Sequence, residues 1–210
     1  MTDYNYKIEK YLFPLIENFK KPNILEFGVQ NGRSTKRFLE ICKRKKGHLT
    51  SVDIDDCSKL FKNKNWTFVK SRDDNFSYLE KKIPKKLDIV FLDSLHEASH
   101  VEKILYYYYP KLTVGGFFFI DDISPLPYLK NKKRNSFYCE INNRETSERI
   151  LEIYNSNSDL FDLSFSYTSS GLAIIKKNKK LSLKKTKPII SRKYTVKNFL
   201  RNAWKLIKKN

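Results

Sequence analysis

Short apolar segments of strand length alternate with segments of helical periodicity along most of this chain. Strands are predicted over residues 23–27, 48–53, 66–70, 87–93, 116–122, 160–167 and 171–176, the last two forming a hairpin. Helices are predicted over residues 4–19, 97–109 and 142–154, and from a cap at Ser34 or Thr35 to about residue 43. Because strands separated by helices pair in parallel, the pattern predicts a Rossmann-like, doubly wound α/β fold. Its mostly parallel seven-stranded sheet ends in a C-terminal antiparallel hairpin.

Positive charge is concentrated at one end of the chain. The formal net charge is +19, but fourteen of the 42 Lys and Arg residues lie from Lys176 onward, where no Asp or Glu occurs. We therefore expect one domain over residues 1–176 and a basic tail over residues 177–210. Because charge in the domain is nearly balanced, nucleic acid is not an expected partner.

The cysteines and the hydropathy of the chain indicate in which part of the cell the protein is located. No segment approaches the roughly 20 apolar residues that a transmembrane helix needs. The three cysteines, Cys42, Cys57 and Cys139, do not have the spacing of metal ligands. An odd number of cysteines in a Lys-rich chain without an apolar signal segment predicts a cytoplasmic location, where thiols stay reduced.

The segment 24–34, Ile-Leu-Glu-Phe-Gly-Val-Gln-Asn-Gly-Arg-Ser, is a strand that leads through glycines into a helix. Glycine lets the backbone approach a ligand closely and adopt a positive φ, and the Glu26 carboxylate suits the cationic amino acid part of a ligand. The G-x-G-x-x-G pattern of dinucleotide sites is absent. We expect Glu26, Gly28, Gly32 and Ser34 to form a cofactor site.

The ends of the second and third strands offer further cofactor contacts. Asp53 ends the second strand, where an acidic residue can accept hydrogen bonds from both hydroxyls of a ribose. Arg72 and Asp73 follow the third strand and are placed to touch an adenine. A helix cap is an equally good interpretation of Asp73.

Three carboxylates follow the fourth and fifth strands. Asp93 ends one strand and Asp121 and Asp122 end the other, so all three are expected at one edge of the sheet. Unpaired carboxylates there would repel one another and raise their pKa values. A hard cation with oxygen ligands, Mg²⁺ by default, removes that conflict. We therefore predict Asp93, Asp121 and Asp122 as metal ligands, with Asp93 also lining the cofactor site.

His96 lies three residues beyond Asp93, at the same edge. A histidine beside a substrate hydroxyl can act as a general base near neutral pH, and we predict this catalytic role for His96. A hydrogen-bonded loop histidine is the alternative. His48 and His100 lack such neighbours and are expected to be structural.

Together these motifs resemble class I S-adenosylmethionine-dependent methyltransferases, specifically the metal-dependent sugar O-methyltransferases of the macrocin and mycinamicin type. The resemblance covers roughly residues 23–122. It implies that Glu26, Gly28, Gly32 and Asp53 hold S-adenosylmethionine, and that Asp93, Asp121 and Asp122 bind Mg²⁺. It also implies that His96 deprotonates a hydroxyl of a sugar or other small polyhydroxy acceptor. One departure is the segment Asp93-Ser94-Leu95-His96, where related sequences commonly read Asp-Gly-Asp-His.

The basic tail contains an amphipathic helical pattern over residues 195–209. Its apolar positions are Val196, Phe199, Leu200, Ala203, Trp204 and Ile207, and Lys197, Arg201, Lys205 and Lys208 lie between them. A basic amphipathic helix of this kind suits an anionic membrane surface. Docking on its own domain, or on a second copy in a homo-oligomer, is the alternative.

Two other functions compete with the small-molecule O-methyltransferase. A nucleic-acid methyltransferase could use the tail as an anchor, but residues 94–96 do not resemble the Asn/Asp-Pro-Pro-aromatic loop of base-directed enzymes, and no aromatic-rich RNA-binding module is evident. A non-catalytic binding protein with the same fold is the second, and the intact carboxylates and His96 argue against it.

Overall fold

A seven-stranded sheet forms the centre of the protein in the computed structural model, which describes residues 3–124, 137–189 and 195–207. The strands are β1 (Asn23–Phe27), β2 (His48–Asp53), β3 (Trp66–Lys70), β4 (Leu87–Leu92), β5 (Leu112–Asp121), β6 (Phe161–Ser166) and β7 (Leu172–Lys177). Their order is β3-β2-β1-β4-β5-β7-β6. Strands β1 to β5 pair in parallel, and β7 pairs antiparallel with both β5 and β6. The predicted fold class, including the terminal hairpin, is confirmed.

The described helices are α1 (Asp3–Lys7), α2 (Phe13–Ile16), α3 (Arg33–Lys45), α4 (Phe76–Leu79), α5 (Ala98–Tyr108), α6 (Phe137–Asn157) and α7 (Val196–Ile207). Helices α1 to α6 cover both faces of the sheet and bury two apolar cores. On one face, α5 and α6 pack through residues such as Ile104 and Ile150. On the other face, α3 and the N-terminal helices pack through Phe38 and Leu12. Burial on both faces explains why the central strands are continuous apolar runs rather than alternating ones.

The N-terminal segment is not the single helix predicted over residues 4–19. A π-helical segment, Ile8–Leu12, separates α1 from α2. Ile8, Leu12 and Ile16 are each at most 1% exposed and anchor the segment in the core. The wider π turn changes which side chains follow one another on a face, and such segments occur frequently at functional sites.

The helix after β1 begins differently from the prediction. Its first residue is Arg33, and the preceding Gly32 adopts the left-handed conformation with φ 69°. Neither Ser34 nor Thr35 caps the helix, because both hydroxyls donate to the Glu26 carboxylate. The short helix α4, which lacks an apolar period of its own, was not predicted.

The C-terminal helix α7 leaves its apolar side chains exposed. Val196, Phe199, Leu200 and Ile207 are between 62% and 75% exposed. Residues 178–189, by contrast, lie against α5 and α6. Tyr106 Oη of α5 donates to the Lys184 carbonyl at 2.6 Å, and the Lys184 amide donates to Asn157 Oδ1 of α6 at 2.6 Å. Among the described residues, no helix has the length and apolar character needed to cross a membrane.

Candidate active site

A cavity of about 790 Å³ opens at the carboxyl ends of the central strands. It lies where the strand order reverses between β1 and β4, the position at which open α/β sheets bind ligands. Its lining includes nine predicted site residues: Gly28, Ser34, Asp53, Arg72, Asp73, Asp93, His96, Asp121 and Asp122. It also includes Tyr4, His100 and Ser170, which the sequence argument did not select. Glu26 and Gly32 are the two predicted residues that do not line it.

Gly28 is the first residue of the loop between β1 and α3, and its position leaves no room for a side chain. Its φ is +88°, and a Cβ atom there would overlap the Asp93 carbonyl group. The two strand ends therefore approach each other as closely as their backbones allow. The loop amides of Val29 and Gln30 follow directly, and they face the end of β2.

Glu26 lies beneath the loop rather than in the cavity. Its carboxylate is completely buried and accepts hydrogen bonds from Ser34 at 2.6 Å, Thr35 at 2.8 Å and Ser51 at 2.6 Å. Burial raises the pKa of Glu26 to about 7, while the three hydroxyl donors act in the opposite direction. The geometry thus differs from the predicted direct contact with a cofactor, because Glu26 ties β1, β2 and α3 together under the loop.

Asp53 joins the end of β2 to the same loop. Its Oδ2 accepts hydrogen bonds from the amides of Val29 at 2.7 Å and Gln30 at 3.1 Å, and its Oδ1 accepts one from Asp55 at 3.0 Å. Burial alone would raise the pKa of Asp53, but these backbone donors outweigh it and lower the pKa. The carboxylate therefore stays charged on the cavity wall, with part of its acceptor capacity already used.

Beyond β3, Asp73 and Arg72 point in different directions. Asp73 Oδ2 accepts the Ser94 hydroxyl at 2.5 Å and lies 2.8 Å from His100 Nε2. The Arg72 guanidinium instead pairs with Asp74 at 2.9 Å and is 64% exposed. Only Asp73 is thus held firmly at the cavity. His100, expected to be structural, holds it there from the first turn of α5.

The three predicted metal ligands meet at the edge of the sheet, but two residues of α1 meet them there. Lys7 Nζ forms an ion pair with Asp121 Oδ1, and both side chains are at most 1% exposed. Tyr4 Oη donates to Asp93 Oδ2 at 2.9 Å. Burial and the charges of Asp121 and Asp122 raise the pKa of Asp93 well above its usual range. Burial also raises the pKa of Asp121, while Lys7 opposes that effect.

His96 lies between two of these carboxylates. Its Nε2 is 3.6 Å from Asp93 Oδ1 and 3.5 Å from Asp122 Oδ2. Asp122 adopts a left-handed backbone conformation with φ 56°, which is uncommon outside glycine and recurs at functional sites. The imidazole is 27% exposed, so a bound molecule in the cavity can reach its ring nitrogen.

The predicted Mg²⁺ site is not formed as expected. An Mg²⁺ ion requires oxygen ligands directed at one point with octahedral geometry. Asp121 Oδ1 is instead taken by Lys7 and by the Asp122 amide, and one oxygen of Asp93 is taken by Tyr4. In the described part of the chain, no group of three or more His, Cys, Asp or Glu side chains is arranged to hold a metal ion. In this arrangement the set Asp93, Asp121 and Asp122 does not fit a divalent metal.

Sequence reasoning missed Lys7 and Tyr4 because their partners are more than 80 residues away along the chain. Tyr4 lies on the apolar stripe of residues 4, 8, 12, 15 and 16, which is a signal that it is buried. Lys7 lies off that stripe in α-helical spacing, so its burial could not be inferred from the pattern.

Comparisons with known proteins show similarity to methyltransferases. Residues 25–123 match the family model described as a methyltransferase domain. Among curated protein sequences, none matches the chain.

Three solved structures illustrate the similarity in fold. The methyltransferase MycE of mycinamycin biosynthesis, in complex with Mg, SAH and mycinamycin VI, has a TM-score of 0.59 at 17% identity. That match covers 84% of this chain and 49% of MycE, so the chain spans about half the length of MycE. A putative caffeoyl-CoA O-methyltransferase from Staphylococcus aureus has a TM-score of 0.61 at 17% identity, with 85% of each chain covered. CalS11, a TDP-rhamnose 3'-O-methyltransferase of calicheamicin biosynthesis, has a TM-score of 0.53 at 15% identity, with 82% and 78% covered.

The matched residues contain most of β1, all of β2 to β5 and every predicted site residue. The seven strands have the order β3-β2-β1-β4-β5-β7-β6. The glycine loop after β1 and the acidic end of β2 line the cavity. Residues 25–123 are therefore similar to a methyltransferase domain, and the chain shares the fold of these solved methyltransferases.

Proposed function

We propose that this protein transfers the methyl group of S-adenosylmethionine to a hydroxyl group of a sugar or other small polyhydroxy molecule. The observation that carries the proposal is the position of His96 Nε2, 3.5–3.6 Å from two carboxylates at the edge of the cavity. A base at that point lies next to the loop and strand ends that suit the cofactor. Positioning of this kind is the main requirement, because methyl transfer needs no covalent enzyme intermediate.

The cofactor fits the half of the cavity formed by β1, β2 and β3. The Gly28 loop permits close backbone approach, and the charged Asp53 carboxylate can accept a hydrogen bond from a ribose hydroxyl. Asp73, fixed by Ser94 and His100, lies on the wall that an adenine would meet. The cationic sulfonium would then face the carboxylates at the ends of β4 and β5, where negative charge favours it.

The acceptor would bind on the other side of the same edge. Its hydroxyl donates a proton to His96 Nε2 as its oxygen attacks the methyl carbon, and the carbon–sulfur bond breaks to release S-adenosylhomocysteine. Asp93 and Asp122 flank the imidazole and stabilise the imidazolium that forms. No metal-dependent step is included, because Lys7 and Tyr4 occupy oxygens of the predicted ligand set.

The choice of a sugar-like acceptor is supported by the neighbours and by the polarity of the edge. CalS11 is named for a TDP-rhamnose substrate, and MycE was solved with mycinamycin VI. Carboxylates and an imidazole suit an acceptor rich in hydroxyl groups, since each polar group of a buried ligand needs a partner.

The test is transfer of a labelled methyl group from S-adenosylmethionine to chosen acceptors. Nucleotide sugars with free vicinal hydroxyls are compared with single-stranded RNA and with a catechol. We expect label on the sugar, in a product that survives mild alkali as a methyl ether does and a methyl ester does not. Label on RNA alone would favour the nucleic-acid alternative. Absence of S-adenosylhomocysteine binding by calorimetry would reject methyl transfer altogether.

We also propose that α7 binds the protein to an anionic membrane surface. Its apolar residues lie on one half of the helix circumference, and Lys197, Arg201 and Lys205 lie on the other half, all exposed. Exposure of Val196, Phe199, Leu200 and Ile207 argues against docking of this face on the described part of the domain. Charge complementarity favours an anionic lipid surface as the occupant, because no acidic residue follows Lys176.

Replacing Phe199 with glutamate is therefore expected to release the protein from vesicles of phosphatidylglycerol and phosphatidylcholine in low salt. Loss of a phenyl ring that would be buried in the bilayer should weaken partitioning of the protein onto the vesicles by at least about tenfold in a sedimentation assay. Asn202→Glu is the matched control, because it changes the charge equally on the polar face. It should weaken binding by about fivefold at most, the effect of one charge near the surface. Equal losses would contradict insertion of the apolar face, and a dimer that Phe199→Glu dissociates would assign α7 to a second copy instead.

A further inference from the structure

The Lys7 ammonium group is fully buried, and each of its protons has an acceptor. Lys7 Nζ contacts Asp121 Oδ1, donates to Ser170 Oγ at 3.0 Å and donates to the Gly171 carbonyl oxygen at 3.3 Å. An ammonium group has three donors in total. The protein thus provides a complete binding site for one cationic group, and its own chain occupies it.

The position of this cation is fixed by three separate parts of the fold. Ile8 and Leu12 bury the N-terminal segment in the core, and Lys7, the last residue of α1, reaches Asp121 at the end of β5. Ser170 and Gly171 approach from the turn that joins β6 to β7. Gly171 adopts φ +90°, and a Cβ atom there would meet Ser124, just beyond β5. The hairpin turn is therefore held against the strand end that bears Asp121.

The charge balance at the cavity edge depends on this lysine. Asp93, Asp121 and Asp122 meet there, and Lys7 is within bonding distance of Asp121. Removing the ammonium would leave the buried Asp121 carboxylate without its ionic partner, at a large cost. Ser170 and Asp121 line the cavity, so the effect of Lys7 reaches a bound acceptor through them.

We propose that Lys7 supplies, from the chain itself, the positive charge that a divalent metal ion would otherwise supply to Asp121, so that this methyltransferase works without a metal. Lys7 is in these terms a positioning residue: it fixes the Asp121 carboxylate at the cavity edge and leaves Asp93 and Asp122 to face His96. This inference rests on the proposed methyl transfer for its catalytic consequence, but the exclusion of a metal can be measured independently.

The test compares Mn²⁺ binding by wild-type protein and by Lys7→Met, followed by electron paramagnetic resonance of free Mn²⁺. Wild-type protein is expected to bind no Mn²⁺ at millimolar concentration. Lys7→Met leaves three uncompensated carboxylates at one edge and should bind Mn²⁺ at least about tenfold more tightly, since such oxygen ligands favour this ion. Lys10→Met, a change of an exposed lysine in the same segment, should behave as wild type. A lysine that only stabilises the fold would give no such gain.

Wild-type measurements keep the inference testable should Lys7→Met fail to fold. Saturable binding of Mn²⁺ by wild-type protein at micromolar concentration would overturn it, as would methyl transfer that EDTA abolishes and Mg²⁺ restores. Transfer unchanged within about twofold by EDTA would support it, because chelation removes a required metal cofactor. S-adenosylhomocysteine binding is measured in parallel. Its loss would count against the proposed function, whereas the Mn²⁺ result alone decides the role of Lys7.

Discussion

Replacement of Gly28 with alanine is expected to abolish binding of S-adenosylhomocysteine. The new Cβ atom would overlap the backbone carbonyl of Asp93, and a backbone cannot move aside as the end of a flexible side chain can. Relief of the overlap requires the loop after β1 or the end of β4 to shift. Either movement displaces the loop amides from Asp53, and we expect at least about a hundredfold loss of affinity by calorimetry, the scale of a site displaced by about 1 Å.

Gly115→Ala is the matched control for this prediction. Gly115 also has a positive φ, +82°, but a Cβ atom there would meet nothing within 4 Å. Both variants therefore carry the conformational cost of a side chain in the left-handed region, about 1–2 kcal/mol, and only Gly28→Ala adds the overlap. We expect both to remain folded by circular dichroism and only Gly115→Ala to bind normally. Comparable affinity in the two variants would contradict a cofactor site at the Gly28 loop.

The parts of the fold that sequence reasoning identified depend on local signals. β1, β4 and the second half of β5 are short apolar runs that end at a glycine or an acidic residue, and such runs are readable without knowledge of their partners. Parallel pairing then brings the ends of β1, β2, β4 and β5 to one edge. For that reason Gly28, Asp53, Asp93, His96, Asp121 and Asp122 could be assigned to one cavity from the sequence.

The parts that were missed depend on contacts between distant segments. A metal was predicted because Asp93, Asp121 and Asp122 had no positively charged partner among the residues near them in sequence. Lys7, which pairs with Asp121, was not considered. Lys7 reaches Asp121 across 114 positions of sequence, and Tyr4 reaches Asp93 across 89. Whether a helix brings such a residue to a strand end depends on how it packs, and the π-helical segment that follows Lys7 has no signature in composition.

The role of Glu26 shows the same limit at shorter range. Its place at the end of β1 was predicted, but its contact with a cofactor was inferred from charge alone. The hydroxyls of Ser34, Thr35 and Ser51 satisfy the carboxylate below the loop. Ser34 was predicted as a helix cap and a cofactor residue, Thr35 as an alternative cap and Ser51 as part of a strand, so their shared partner was not evident from the sequence.

Replacement of His96 with alanine is expected to slow methyl transfer by about 10²–10⁴-fold, the usual effect of losing a general base. The loss should appear in kcat, because the imidazole acts on the acceptor proton during transfer. Binding of S-adenosylhomocysteine should be unchanged, since the residues that suit the cofactor follow β1, β2 and β3, whereas His96 follows β4. The measurement is the rate of labelled methyl transfer at saturating cofactor, with calorimetry as the check on binding.

His48→Ala is the control for the loss of a histidine. His48 begins β2, at the edge of the sheet opposite the cavity, and its Nε2 lies 2.9 Å from Thr67 Oγ1. It should therefore leave the rate within about twofold of wild type, the range of most surface changes. Normal turnover by His96→Ala would assign proton removal to Asp93, Asp122 or water, and would leave His96 as a hydrogen-bonding residue between two carboxylates.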